Sequence, residues 1–143
     1  MYPQVRKGQL TELRSGALAA SGAWAESSEL RVSGESQVSL FVDYTEGGSG
    51  GSAEIIVEVS PVGGGDDWLS AEEALDPASA STSGSATRLT AQRLSVLYVG
   101  TQKATHVVDI GGAERVRIRA REVGVTATPG TLIVRGRAVA IGA

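Results

Sequence analysis

One serine of the sequence lies in a setting similar to that of a catalytic nucleophile. Residues 47–51 read Gly-Gly-Ser-Gly-Gly, which matches the G-x-S-x-G string of serine hydrolases. That chemistry needs a strand-to-helix turn at the serine, then an acid and a histidine further along the chain. Here the string joins two predicted strands, and Asp109 follows the lone His106 instead of preceding it. The string therefore indicates a flexible turn, and we expect that the protein is not an enzyme.

The remaining residue types exclude several kinds of metal site. The 143 residues include no cysteine and one histidine, which excludes disulfides, thiolate zinc centres and multi-histidine sites. Carboxylates gather in residues 66–76, where they could bind Ca²⁺, but their spacing does not match an EF-hand loop. These acids are Asp66, Asp67, Glu72, Glu73 and Asp76. We expect a solvated acidic loop, leave open whether it holds an ion, and predict no cofactor.

Charge is distributed unevenly along the chain. Residues 32–87 carry ten acidic side chains and neither lysine nor arginine, whereas residues 88–143 carry nine basic and three acidic ones. Arg115, Arg117, Arg119 and Arg121 share one face of a predicted strand. We expect these arginines to pair with Glu54 and Glu58 of a neighbouring strand or with an acidic partner protein. Because the whole chain is acidic and has few aromatic residues, nucleic acid is not predicted as a partner.

Alternation of apolar and polar residues predicts short strands throughout the chain. It is clearest in residues 38–43, 54–59, 115–121 and 132–140, which are separated by glycine-rich turns. No helical pattern of ten residues or more is present. The sequence therefore predicts an all-β fold, an antiparallel β-sandwich or jelly roll of about eight or nine strands. A closed barrel is the alternative.

Residues 1–20 are weakly patterned and predict an extended N-terminal arm that orders on a partner. Residues 21–143 then form a single sandwich domain. No apolar run of about 18 residues occurs, so neither a membrane-spanning helix nor a membrane partner is predicted.

Two stretches stand out together. In the first, residues 40–45 read Leu-Phe-Val-Asp-Tyr-Thr, residues 54–60 read Glu-Ile-Ile-Val-Glu-Val-Ser, and a turn leads to Trp68. In the second, residues 113–119 read Ala-Glu-Arg-Val-Arg-Ile-Arg and residues 129–134 read Pro-Gly-Thr-Leu-Ile-Val. Over roughly residues 38–68 and 113–139 the chain resembles small β-sandwich structural proteins of tailed bacteriophages and prophages.

This resemblance implies a virion component, either a capsid decoration protein or another head or tail accessory subunit. Its partners would be the major capsid protein or other virion proteins, with like copies in a homo-oligomer such as a trimer. It would be assembled in the host cytoplasm and located in the virion. The residues expected to contact partners are Val5, Arg6, Leu10, Leu13, Leu18, Arg115, Arg117, Arg119 and Arg121.

The alternative function is a tail-associated carbohydrate-binding or receptor-binding module. In that case Trp24 and Trp68 would contact a glycan, because flat aromatic rings stack on sugar rings. The sequence also allows a structural role in which such a tryptophan caps one end of the sandwich core.

Overall fold

The computed structural model describes residues 4–32, 37–48, 51–70, 95–110, 112–124 and 127–142. Over these residues the regular elements are eleven β-strands. Their bounds are β1 (Gln4–Lys7), β2 (Thr11–Arg14), β3 (Ala25–Glu26), β4 (Leu30–Arg31), β5 (Gln37–Thr45), β6 (Ser52–Ser60), β7 (Leu69–Ser70), β8 (Ser95–Val99), β9 (Gln102–Asp109), β10 (Arg115–Val123) and β11 (Thr131–Gly142). Strands β3, β4 and β7 have two residues each, and the eight longer strands agree with the expected number.

The strands form two antiparallel sheets, which confirms the predicted β-sandwich. Sheet I has the order β1-β11-β5-β9, and β2 also pairs with β11, beside β1. Sheet II has the order β3-β10-β6-β7, with β4 on β10 and β8 on β6. The central pairs are therefore β5 with β11 in sheet I and β6 with β10 in sheet II. In the described part of the chain, no helix is long and apolar enough to cross a membrane.

Alternation along the central strands builds the core between the sheets. Strands β5, β10 and β11 each send every second side chain inward, because successive residues of a strand point to opposite faces. The inward set is largely aliphatic: Val38, Leu40, Val42 and Tyr44 from β5, Val116, Ile118 and Ala120 from β10, and Leu132, Val134 and Ala138 from β11. Burying each of the larger aliphatic side chains contributes about 1.5–3 kcal/mol, so these strands supply a large part of the driving force.

A glycine in the middle of β11 allows three leucines to meet. A Cβ atom built on Gly136 would lie 3.3 Å from Leu13 Cδ1, 3.3 Å from Leu30 Cδ2 and 3.5 Å from Leu40 Cδ2. Leu40 comes from the neighbouring strand β5, while Leu13 belongs to β2 and Leu30 to β4 of sheet II. The missing side chain thus gives the N-terminal leucines room to reach the core.

Residues 4–18 belong to the sandwich, which corrects the expectation that they form an extended arm that orders on a partner. Strand β1 pairs with β11 from Gln4 opposite Gly142 to Lys7 opposite Val139, and β2 pairs with β11 around Val134–Gly136. Leu13 is 2% exposed and Leu18 is 4% exposed, both within the core cluster. Strands of four residues with a partner at the other end of the chain leave little local pattern, which is why the sequence is only weakly patterned here.

A buried carboxylate closes one end of the core. Glu122 occupies an inward position of β10 and is 2% exposed. Its Oε1 and Oε2 accept hydrogen bonds from the Gly130 backbone N–H, at 3.0 and 2.8 Å, and Oε1 accepts another from the Tyr44 hydroxyl at 3.3 Å. Gly130 must be glycine, because a Cβ there would lie 2.5 Å from Thr45 O. Glu122 therefore fixes the turn between β10 and β11 against β5.

A second tyrosine links the two sheets. Tyr98 of β8 in sheet II is buried, and its hydroxyl hydrogen-bonds to His106 Nε2 of β9 in sheet I. The two rings meet edge to face with centroids 5.8 Å apart. His106 therefore holds the edges of the sandwich together on this side.

Both tyrosines make the fold sensitive to alkaline pH. Burial raises the pKa of Tyr44 to about 12, assisted by Glu122 and Glu46, and burial raises the pKa of Tyr98 to about 12. In the unfolded chain a tyrosine ionises near pH 10. Stability is therefore fully present below pH 10 and falls as the pH rises toward 12, by roughly 3 kcal/mol for each tyrosine.

Urea unfolding at pH 8, 9.5, 10.5 and 11.5 measures this loss. The variants Tyr44→Phe and Tyr98→Phe serve as controls, because each should remove about half of the pH dependence. A free energy of unfolding that stays level from pH 9.5 to 11.5 would contradict the prediction.

Candidate interaction surfaces

The four arginines of β10 lie on the outer face of sheet II, as their spacing predicted. The alternate residues Val116, Ile118 and Ala120 point into the core, so the arginines point away from it. Strand β6 lies beside β10 in a register that sets Arg117 opposite Glu58 and Arg121 opposite Glu54. The outer face therefore brings the acidic and the basic parts of the chain together.

Arg115 is enclosed by the protein. It is 2% exposed, and its guanidinium group uses all three nitrogens within the chain. Nε donates to Val62 O at 2.8 Å, Nη2 donates to Ser60 Oγ at 3.1 Å and to Gly65 O at 3.0 Å, and Nη1 pairs with Glu29 at 2.9 Å. Arg115 thus anchors the loop of residues 61–65 to sheet II.

Two further arginines form ion pairs across the strands. Arg117 pairs with Glu58 at 3.0 Å and with Glu26 at 3.3 Å, and Arg121 pairs with Glu54 at 2.7 Å. The predicted pairing of the arginines with Glu54 and Glu58 is confirmed. Glu26 and Glu29 were missed, because they lie in the N-terminal quarter of the chain, far from β10 in sequence.

Both tryptophans lie over these arginines. Arg117 Cζ lies 4.1 Å and Arg115 Cζ lies 4.5 Å from the centroid of the Trp68 ring. The Trp24 ring has the Arg121 Cζ at 4.6 Å and the Arg119 Cζ at 5.9 Å. A guanidinium over an aromatic ring is a favourable cation–π contact. We call this set of Arg115, Arg117, Arg119, Arg121, Trp24, Trp68, Glu26, Glu54 and Glu58 the arginine–tryptophan layer.

This layer corrects the expectation of a partner contact for Arg115, while the same expectation for Arg117, Arg119 and Arg121 stays a prediction. Arg115 is closed off from any partner, and Arg117 and Arg121 are engaged with carboxylates of the same chain. The layer also covers Ile56, which points outward from β6 and is nevertheless buried. The tryptophans therefore cover the outside of sheet II instead of capping the core. The glycan role of Trp24 and Trp68 stays a prediction, and stacking on a sugar would have to use ring surface not already facing a guanidinium.

The outer face of sheet I has a different character. Phe41 of β5 and Val107 of β9 point outward and are 37% and 61% exposed, and Ile133 of β11 lies partly exposed beside them. The register places Phe41 opposite Arg135 and Thr105, so Ile133 and Val107 are its diagonal neighbours. The three side chains form an apolar strip across three strands, which we call the sheet I patch.

Charged groups surround this patch. A shallow depression of ≈ 370 Å³ is lined by Phe41, Ile133, Asp43, Lys103, Thr105 and Arg135, together with Val42 and Ala104. Lys103 and Asp43 are 4.0 Å apart, with the lysine side chain 82% exposed. Arg135 is exposed in the described structure. An apolar centre with charged groups at its rim is the usual anatomy of a protein–protein contact. Phe41 could have been found in the sequence, because it is an aromatic residue in the polar phase of an alternating strand.

The predicted contact residues of the N-terminal segment are separated by the fold. Leu13 and Leu18 are buried in the core, so neither can contact a partner, which corrects that prediction. Leu10 is exposed at 41%. Val5 and Arg6 are placed only by their backbone, in β1 opposite Ile141 and Ala140.

The candidate catalytic and ion-binding features do not come together in the described structure. Ser49 and the acids of residues 72–76 lie outside the described residues, so the nucleophile and ion-loop interpretations stay untested. Within the described ranges, no three His, Asp or Glu side chains form a group that could hold a metal ion.

Comparison with known proteins gives only distant structural likenesses. No family model and no curated protein matches the chain. The K1 cleaved adhesin domain of Lys-gingipain from Porphyromonas gingivalis W83 is similar at 13% identity and a TM-score of 0.35, over 84% of this chain and 62% of that one. The structure of the Gx strain of infectious bursal disease virus is similar at 10% identity and a TM-score of 0.40, over 98% of this chain and 36% of that one. The structure of the Gt strain is similar at 12% identity and a TM-score of 0.29, over 98% of this chain and 41% of that one.

The chain spans less than two thirds of the length of each of these chains. Likenesses at this level do not assign a function.

Proposed function

We propose that this protein is a non-enzymatic structural subunit of a tailed-phage virion, a capsid decoration protein, that attaches to the protein shell through the outer face of sheet I. Two things support the proposal. The sequence of residues 38–68 and 113–139 resembles phage β-sandwich structural proteins. The fold is a two-sheet sandwich in which the outer face of sheet II pairs its charges within the chain, whereas the outer face of sheet I exposes apolar side chains.

The contrast between the outer faces carries the proposal. On sheet II the arginine–tryptophan layer satisfies its own charges and covers the apolar Ile56. On sheet I, Phe41 and Val107 present apolar surface to solvent, although alternation would place polar residues there. Exposed aromatic and aliphatic side chains surrounded by charged residues mark a contact surface.

The side chains of the sheet I patch indicate which side chains the shell must present to it. The apolar centre fits apolar side chains, and the exposed Arg135 at the rim fits a carboxylate on the shell. A patch of three side chains makes a shallow contact. Joining several copies in one oligomer reinforces such a contact, because the first site that binds raises the effective concentration of the others at the shell.

Replacing Phe41 with glutamate is expected to reduce attachment to capsids at least tenfold, because an aromatic hot-spot residue at the centre of an interface contributes about 2 kcal/mol or more. The purified protein is added to capsids prepared without it, the particles are pelleted, and copies per particle are measured. Val123→Glu is the matched control, since Val123 is exposed at 41% at the end of β10 in sheet II. Native occupancy by the Phe41 variant would exclude the sheet I patch, and failure of the native chain to pellet would exclude the decoration function.

A further inference from the structure

Strand β9 provides the longest edge that the described residues leave open. It runs eight residues and has β5 as its neighbour on one side only. The other edge strands of the described structure are shorter: β8 has five residues, β1 and β2 have four each, and β3, β4 and β7 have two each. Short edge strands are a common protection against unwanted pairing. Strand β9 lacks this protection, contains no proline and pairs with β5 without a bulge.

The outward side chains of β9 are complementary to themselves. Lys103, Thr105, Val107 and Asp109 are all exposed, whereas Val108 is buried and Ala104 is partly buried between the sheets. The outward face thus begins with a cation and ends with an anion. When two such strands run antiparallel, the cation of one comes opposite the anion of the other.

We propose that β9 pairs with β9 of a second copy of this chain, antiparallel and centred on His106. This register sets Lys103 opposite the partner's Asp109 on both sides of the two-fold axis, and Thr105 opposite the partner's Val107. Each His106 is held by Tyr98 of its own chain. The main chains supply the hydrogen bonds, and the side chains set the register.

The charges of Lys103 and Asp109 favour this register over the registers in which the two-fold axis lies at another residue. A shift must keep outward residues opposite outward residues, so the axis can lie at any residue from Ala104 to Val108. An axis at Ala104 sets Lys103 opposite the partner's Thr105, and an axis at Val108 sets Asp109 opposite the partner's Val107. An axis at Thr105 sets Lys103 opposite the partner's Val107, and an axis at Val107 sets Asp109 opposite the partner's Thr105. The axis at His106 sets each of the four charges opposite an unlike charge of the other chain, and it covers part of the 61% of Val107 that is exposed in the single chain.

Charge exchange tests the pairing in the isolated protein, so the result does not depend on attachment to capsids. Sedimentation velocity over a range of concentrations is expected to show a dimer of the native chain. Lys103→Asp and Asp109→Lys should each weaken the dimer at least tenfold, since each replaces two attractions with two repulsions. An equimolar mixture of the two variants should recover native affinity, because the heterodimer again opposes unlike charges. Lys7→Asp is the matched control, on β1 at the opposite edge of sheet I.

A native chain that stays monomeric would overturn the proposal. So would single variants that dimerise normally, or a mixture that fails to recover while circular dichroism shows both variants folded.

Introduced cysteines test the register, and the native chain has none to interfere. Residues opposite each other lie about 4.5–5.5 Å apart between Cα atoms, within disulfide range. Thr105→Cys and Val107→Cys are each expected to stay uncrosslinked alone and to form a disulfide when mixed. Crosslinking of the Val107 variant with itself, or of the Thr105 variant with itself, would place the axis elsewhere and overturn the His106-centred pairing.

Discussion

Replacing Arg115 with methionine is expected to lower the free energy of unfolding by about 1.5–3 kcal/mol. Methionine is similar in volume, but it leaves Gly65 O without its donor and removes the charged donor from Ser60 Oγ and Val62 O, which keep only the hydrogen bonds between Ser60 and Val62. Each buried polar group left unpaired costs about 1–3 kcal/mol. The stacking on Trp68 is lost as well. The exposed Glu29 carboxylate returns to water and adds little.

Arg119→Met is the matched control, because it removes the same functional group from the same face of the same strand. Arg119 makes no ion pair with the described residues, and its guanidinium lies 5.9 Å from the Trp24 centroid. We expect a loss of about 1 kcal/mol or less. Urea denaturation followed by circular dichroism measures both variants. Equal losses would show that position in β10, and not the contacts of Arg115, determines the cost.

Replacing Glu122 with alanine is expected to lower the free energy of unfolding by about 3–5 kcal/mol. The change removes the acceptor of the Gly130 N–H and of the Tyr44 hydroxyl, and it leaves a cavity at the end of the core. The close approach of Gly130 to Thr45 then loses the contact that holds it. Thermal and urea unfolding report the loss.

Glu122→Gln separates hydrogen bonding from packing. Glutamine keeps the shape and one acceptor oxygen, so we expect a loss of about 1–2 kcal/mol. If the alanine variant were as stable as the glutamine variant, the hydrogen bonds of Glu122 would not be what fixes the turn between β10 and β11.

The central strands and their ion pairs could be predicted because their signals are local. In β5, β10 and β11 the alternation of residue types is regular over nine residues or more, so inward and outward positions follow from the sequence. The charges of β6 and β10 lie on alternating positions of neighbouring strands, which is enough to pair Glu54 and Glu58 with arginines.

Other features depend on chain segments that are distant in sequence. Strand β2 reaches the core only because β11 offers Gly136, more than a hundred residues later. Trp24 and Trp68 stand in connections, where no periodicity shows which surface they cover. Two exceptions to alternation were visible and informative. Glu122 is a charged residue at an inward position of β10, where it accepts hydrogen bonds from Gly130 and Tyr44. Phe41 is an aromatic residue at an outward position of β5, where it is exposed to solvent.

The role of β11 has a consequence for the order of folding during protein synthesis. Strands β1, β2 and β5 all hydrogen-bond to β11, which is the last described strand to leave the ribosome. Until then Leu13 and Leu18 have no sheet to join, while β6 and β10 of the other sheet can already pair. Folding dominated by such long-range pairings is slow, so nascent chains carry exposed leucines for an extended time. Translation that stalls before residue 131 would therefore yield an aggregation-prone fragment and not a smaller stable domain.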